Sequence, residues 1–318
     1  MPSKLRDEID FAGLDHAVQT LIAGELVGMP TETVYGLAAD ATNPAAIKKI
    51  FARKGRPADH PLIVHLAADA TLDEWAVDIP ESARQLCRAF WPGPLTLILK
   101  KSQRVDSLVT GGQDSVGLRC PAHPVAQALL AAFSAAGSGA LAAPSANRFG
   151  HVSPTTAQHV RDEFGSDLLV LEGGMCKVGI ESTILDLSRG HPVLLRPGSI
   201  TPEQIATVMG LMPQVSDSNA PRASGMLAAH YAPRALLRLV PTKIFAEAIA
   251  TAKQEGRRVA VLAVGVPADP QRYAHDLYAE LRRLDEEQPD VILVEQPPQT
   301  AEWEGVNDRL KRAAHRKN

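Results

Sequence analysis

Along the first two-thirds of the chain, short apolar runs bounded by glycine, proline and polar residues alternate with longer stretches of helical spacing. Leu26–Pro30, Pro61–Leu66, Pro94–Leu99 and Val116–Arg119 are such runs, rich in the branched and Leu side chains of buried strands. Asn43 followed by Pro44 supplies an N-cap and a first-turn proline for a helix that stops at Gly55. Pro124–Ala136 reads as a buried helix leading into a strand at Ala140–Ala143, and Ser153 with Pro154 predicts a further helix ending near Gly165. Strands at Leu168–Leu171, Ser182–Leu187 and Val193–Leu195 follow, then a helix from Thr201 and Pro202 to about Met209. Residues 211–234 lose the periodicity and become rich in Pro, Ser, Asn and Ala, which predicts a linker. Beyond it, strands at Leu236–Val240, Arg258–Val264 and Asp290–Val294 alternate with helices at Ile244–Glu255, Arg272–Glu287 and Val306–His315. That order predicts a small parallel sheet with right-handed crossovers. The expected organisation is α/β throughout, with one domain over 1–210, a linker or lid over 211–234 and a second domain over 235–318.

Composition narrows the classes. With 318 residues, 45% hydrophobic and 22% charged, the chain has enough material for packed cores and fits neither wholesale disorder nor a membrane protein. Arg119 to Arg148 contains no Asp, Glu or Lys between its end residues, yet prolines and glycines interrupt it, so a membrane span is not expected. The formal net charge of −3 gives no global basic field for a polyanion, and an aromatic content of 4% leaves few bases-stacking side chains. Three cysteines without CxxC spacing suit a reducing compartment, and the amino terminus carries charges where an export signal needs apolar residues; the cytoplasm is the expected location.

The sequence lacks GxxxxGK[ST], a strand-linked GxGxxG, HExxH and GxSxG, so a Walker-type NTPase, a standard dinucleotide site, a zincin and an α/β-hydrolase each lack their signature. Lys54 and Arg56 flank a glycine at a helix end, where they either offset the helix dipole or form a phosphate clamp of one point charge and one bidentate fork. Pro144-Ser145-Ala146-Asn147 follows a strand and is either an ordinary turn or a ligand contact at the end of a buried parallel strand. Ser182 begins another strand, and Arg119 and Arg196 each end one; two strand-terminal arginines on one sheet suggest an anion site. His60, His65 and His230 are each read as an ordinary surface or core histidine or a catalyst; His151, His159 and His191 have no metal-ligand spacing, and no protein-held metal is expected.

Read together and in order, Pro30-Thr31-Glu32-Thr33-Val34-Tyr35-Gly36-Leu37, Lys54-Gly55-Arg56-Pro57, Gly117-Leu118-Arg119, Ser145-Ala146-Asn147, Glu181-Ser182-Thr183 and Arg196-Pro197-Gly198 closely resemble the YrdC-like family. Ser224-Gly225-Met226, His230-Tyr231-Ala232-Pro233 and Asn307-Asp308-Arg309-Leu310 extend the resemblance to the longer, two-domain threonylcarbamoyl-AMP synthases. The resemblance implies a YrdC-like twisted-sheet catalytic domain followed by a small Rossmann-like α/β domain. It implies synthesis of L-threonylcarbamoyl-adenylate from L-threonine, bicarbonate and ATP, the product passing to a transferase complex that modifies tRNA next to the anticodon. Mg2+ would bridge phosphate oxygens.

The same resemblance implies roles. Lys54 and Arg56 would be catalytic; Arg56, His60, Ser115, Ser145, Asn147, Ser153, Arg196, His230 and Tyr231 would form the ATP side. Thr33, His65, Arg119 and Ser182 would bind threonine, with Arg119 on its carboxylate and a hydroxyl partner reading its side chain. Gly225-Met226 and His230-Tyr231 would hinge and anchor a lid, although Ser224 stands where the family more often has proline. Two other readings stay open at this level: an RNA-binding module without catalysis, and a carbamoyltransferase-type relative with another acceptor. No stable direct contact with nucleic acid is expected.

Overall fold

The computed structural model describes residues 11–265 and 268–315. The strands in chain order are β1 (Val27–Met29), β2 (Gly36–Asp40), β3 (Ile63–Leu66), β4 (Ala76–Val77), β5 (Leu95–Lys101), β6 (Ser115–Arg119), β7 (Ala140–Ala142), β8 (Leu169–Val170), β9 (Thr183–Asp186), β10 (Val193–Arg196), β11 (Gln214–Val215), β12 (Leu236–Val240), β13 (Val259–Leu262) and β14 (Val291–Glu295). The first eleven form one mixed sheet in the order β11-β10-β9-β5-β6-β3-β7-β2-β1-β8, with β4 added on β5. The last three form a parallel sheet in the order β12-β14-β13.

Local chemistry explains the helices that position the site. Asn43 caps the helix Pro44–Lys54 by accepting from the amides of Ala45 and Ala46, and Gly55 ends it at φ 63°, a left-handed conformation that glycine adopts without a Cβ penalty. Thr201 and Gln204 form a reciprocal capping box before the helix Pro202–Met209. Two expectations need correction. The helix predicted from Ser153 begins instead at Ala157, capped by Thr156, because the Ser153 hydroxyl is drawn away to the Glu181 carboxylate at 2.5 Å. The strand before Ser145 is antiparallel to both neighbours, β2 and β3, so Ser145 does not leave a parallel strand. Within the predicted linker, Gln214–Val215 forms β11, which lies parallel to β10.

Helices Phe11–Ile22 and Pro124–Ala136 share a core with β1, β2 and β7, while Pro44–Lys54, Glu81–Phe90 and Ala157–Phe164 pack into the principal core. A third core joins the two halves: Val34, Val152 and Ile180 pack with Tyr231, Leu277, Tyr278, Val306 and Leu310. Burial of each such side chain is worth ~1.5–3 kcal/mol, so the C-terminal helices are fixed against the larger sheet. Among the described residues, no helix is long and apolar enough to cross a membrane.

Candidate active site

The mixed sheet brings distant parts of the chain to one cavity. β3 and β6 run parallel with His65 beside Arg119, and Ser182 precedes β9 with its hydroxyl 2.8 Å from that of Thr96 on β5. Arg56, His65, Arg119, Ser145, Ser182 and Arg196 line the cavity, and Ser224, Gly225, His230 and Tyr231 close it. What remains between them is about 40 Å³, room for a few waters and far too little for a nucleotide.

Charge is distributed unevenly over this cavity. Arg119 is paired with Glu32 at 2.7 Å, both buried, and the second oxygen of Glu32 accepts from the amide of Ala122. Lys54, Arg56 and Arg196 are also buried, but among the described residues they bond to carbonyl and hydroxyl oxygens and not to carboxylates. The Lys54 ammonium donates to the carbonyls of Ser145 and Asn147, both at 2.5 Å. Arg56 donates to the carbonyl of Pro61 at 2.8 Å and to the Ser224 hydroxyl at 3.3 Å. Arg196 donates to the carbonyls of Ser182 at 2.9 Å and Ser224 at 2.9 Å.

A buried cation without a counter-charge is costly. Burial, then the neighbouring Arg56, drives the Lys54 ammonium well below its usual range, and burial brings Arg56 down to about 10. Four buried polar atoms here have no hydrogen-bond partner: Arg56 Nε, Asn147 Oδ1, His230 Nδ1 and the Tyr231 hydroxyl. Three buried cations hydrogen-bonded to no carboxylate, together with orphaned donors and acceptors, make a cradle for a polyanionic ligand. The dipole-offset account of Lys54 does not describe this geometry, since its ammonium leaves its own helix to bind another loop.

Residues 19–198 match the domain family described as Telomere recombination, and residues 200–315 match that described as Threonylcarbamoyl-AMP synthase, C-terminal domain. The chain is 40% identical to the threonylcarbamoyl-AMP synthase of Pyrococcus abyssi, over 98% of its own length and 96% of the relative's. It is likewise 40% identical to that of Bacillus subtilis, over 94% and 92% respectively. A crystal structure of P. abyssi Sua5 complexed with L-threonine is similar with a TM-score of 0.88 and 38% identity, covering 95% of this chain and 94% of that one. The chain belongs to the threonylcarbamoyl-AMP synthase family.

The residues singled out from the synthase motifs fall into three positions. At the cavity wall are Arg56, His65, Arg119, Ser145, Ser182, Arg196, His230 and Tyr231. Immediately behind the wall lie Lys54 and Asn147, the latter donating to the carbonyls of Arg148 and His151, and Thr33, whose hydroxyl is 2.9 Å from that of the wall residue Thr31. Ser153, fully buried and bonded to the wall residue Glu181 at 2.5 Å, also lies directly behind the wall, whereas His60, packed edge-on against Phe149 at 5.3 Å, and Ser115 at the start of β6 do not line it.

Among the described residues, Glu181 is the ionisable wall residue to which sequence reasoning attached no role. Its carboxylate accepts from Ser153 Oγ at 2.5 Å, from the Tyr278 hydroxyl at 2.9 Å and from Arg309 Nε at 2.9 Å. Burial opposes its ionisation, but the charges of Arg309 and then Arg196, with the hydrogen bonds from Ser153 and Arg309, outweigh it and hold its pKa down at about 2. Its position directly before Ser182 was visible, but its partners lie 97 and 128 residues away, beyond any spacing rule.

The buried imidazoles make the synthase fold acid-sensitive. Burial, reinforced by Arg119, depresses His65 to about 3; burial, reinforced by the three neighbouring cations, depresses His230 to about 3. Both therefore stay neutral in the folded chain, while in the unfolded chain they take up protons below about 6.5. Stability is then lost as pH falls from the unfolded value towards the folded one, by about 2 kcal/mol per histidine at roughly pH 5. The melting temperature should drop several degrees between about pH 7 and pH 5; the double variant His65→Gln, His230→Gln should lose about half of that slope, the remainder coming from His159, which burial depresses to about 4, and from His123, which burial also lowers. An equal slope in the variant would assign the acid sensitivity to other groups.

Proposed function

We propose that this chain joins L-threonine, bicarbonate and ATP into L-threonylcarbamoyl-adenylate, with release of pyrophosphate and water, and that the adenylate is passed to a tRNA threonylcarbamoyl transferase complex. The observation that carries the reading is the cradle of Lys54, Arg56 and Arg196, three buried cations without carboxylate partners. We place the reaction in the cytoplasm, where the free thiols of Cys87, Cys120 and Cys176 stay reduced.

The threonine amine captures carbon dioxide or bicarbonate as a carbamate, and a carbamate oxygen attacks the α-phosphorus of ATP in line while the bond to the β-phosphate oxygen breaks. Negative charge concentrates on the α-phosphoryl oxygens as this happens. Lys54 supplies a compact charge and Arg56 and Arg196 supply planar forks, in a setting where low polarity strengthens them. His65, neutral and buried beside Arg119, and Ser182, which shares a hydrogen bond with Thr96, present polar groups to threonine without adding charge. A buried hydroxyl partner of this kind would discriminate against valine by being left unpaired.

Magnesium, arriving on the nucleotide, would neutralise phosphate charge. The chain fits a metal carried in this way better than a protein cage, because both oxygens of the one wall carboxylate, Glu181, are taken by Ser153, Tyr278 and Arg309.

Residues 211–234 act as the lid over this chemistry. In the closed arrangement the Ser224 hydroxyl and carbonyl occupy Arg56 and Arg196, so phosphate must displace them. Gly225 sits at φ +77°, and a Cβ there would lie 2.0 Å from the Tyr231 hydroxyl and 2.9 Å from Arg196 Nη1. Gly225→Ala should therefore hold the segment open and lower kcat/KM at least about tenfold. A variant with wild-type kinetics would remove closure from the mechanism.

The reaction is tested by pyrophosphate release from purified protein with Mg-ATP and bicarbonate, with and without L-threonine, valine and serine serving as controls. Threonine-dependent release with the mass of threonylcarbamoyl-adenylate supports it. Absence of amino-acid-dependent release in a protein that binds ATP overturns it.

A further inference from the structure

The helix Glu304–Ala314 belongs to the C-terminal half, yet two of its arginines reach the elements that enclose the catalytic cavity. Arg309, almost wholly buried, donates from Nε to the Glu181 carboxylate at 2.9 Å and from Nη2 to the Glu181 carbonyl at 3.0 Å. Its Nη1 donates to the carbonyl of Pro197 at 2.8 Å, and its guanidinium lies 5.4 Å from the centre of the Tyr231 ring. One turn on, Arg312 donates from Nη1 to the carbonyl of Leu227 at 2.7 Å, and its own carbonyl accepts from the amide of His230 at 3.2 Å. Asp308 holds both guanidiniums, at 2.9 Å and 2.8 Å.

These contacts are selective. Glu181 directly precedes Ser182, Pro197 directly follows Arg196, and Leu227, His230 and Tyr231 belong to the closing segment. We infer that Arg309 and Arg312 are positioning residues for the synthase reaction, through which the C-terminal helix seats residues 224–231 and fixes the two wall elements beneath them. This rests on the reaction proposed above. Neither arginine touches substrate; each acts by deciding where other groups stand. A lysine at 309 would keep the charge, but its donors radiate from a single nitrogen and could not span the Glu181 carboxylate and carbonyl, the Pro197 carbonyl and Asp308, which Arg309 reaches from Nε, Nη1 and Nη2.

The test uses the full chain carrying Arg312→Ala or Arg309→Lys beside the wild type. Three readouts are compared: trypsin cleavage after Arg222, whose side chain is 55% exposed, steady-state pyrophosphate release, and the melting curve. Seating by the helix predicts cleavage at least about fivefold faster in Arg312→Ala and a KM for ATP at least about fivefold higher, with the fold intact. In Arg309→Lys both effects should be at least as large. Should Arg309→Lys fail to fold, Arg312→Ala decides alone, since its side chain is partly exposed. Wild-type cleavage and KM in folded Arg312→Ala overturn the inference, as does faster cleavage with unchanged KM. If the wild type makes no adenylate, the proposed reaction fails and the positioning role with it, whereas an active wild type beside unaffected variants removes the positioning role alone.

Discussion

Replacing Arg56 with alanine should lower threonine-dependent pyrophosphate release at least about a hundredfold, equivalent to ~2.7 kcal/mol of transition-state stabilisation, and Lys54→Ala should do the same. Both cations are buried where Coulomb interactions are strong, and neither is hydrogen-bonded to a carboxylate. The two variants should differ in stability. Lys54→Ala orphans the carbonyls of Ser145 and Asn147, at a cost of about 1–3 kcal/mol for each, so its melting temperature should fall. Both changes remove a buried charge, but the Pro61 carbonyl served by Arg56 also accepts from the Ser224 hydroxyl, so Arg56→Ala leaves that acceptor bonded and its melting temperature should change less. Turnover within twofold of wild type in both folded variants would leave the pair with a purely structural role.

Arg119→Ala should be damaging for two separable reasons. Removing one partner of the buried pair leaves the Glu32 carboxylate with only the amide of Ala122, which costs about 3–5 kcal/mol of stability. It also removes the group expected to bind the threonine carboxylate. The double variant Arg119→Met, Glu32→Gln separates them, because glutamine keeps an oxygen for Ala122 and no charge remains buried. Its melting temperature should recover most of the loss, while its half-saturating threonine concentration stays at least about thirtyfold above wild type, ~2 kcal/mol of lost binding. Normal threonine saturation in the double variant would reduce Arg119 to a prop for Glu32.

Much of the architecture was readable because it is encoded locally. Asn43 and Pro44, Gly55, and Thr201 with Pro202 mark helix ends through interactions within a few residues, and the structure places those ends within a residue or two. What was illegible depends on partners far along the chain. β2 has the sequence GLAAD, without the branched side chains that announce a strand, and is extended because β1 and β7 flank it. The direction of β7 is set by its neighbours, and no property of Ala140–Ala142 distinguishes parallel from antiparallel pairing. Ser153 carries a plausible cap sequence, but a buried carboxylate competes successfully for its hydroxyl. The cations of the site were legible as motif residues; that they bond to carbonyls and hydroxyls instead of carboxylates, and the bracing of Glu181 from the C-terminal helix, emerge only when the chain is folded.

The Ser224 contacts have a kinetic implication. Because the closing segment satisfies Arg56 and Arg196 with its own oxygens and leaves only about 40 Å³ inside, a catalytic cycle under the proposed lid would need one opening to admit nucleotide and another to discharge the adenylate. A labile mixed anhydride made in such an enclosure is shielded from hydrolysis for as long as the segment stays down. Product escape would then follow the friction of a moving chain segment, so added sucrose or glycerol should slow turnover in proportion to solvent viscosity while leaving the bond-forming step unchanged.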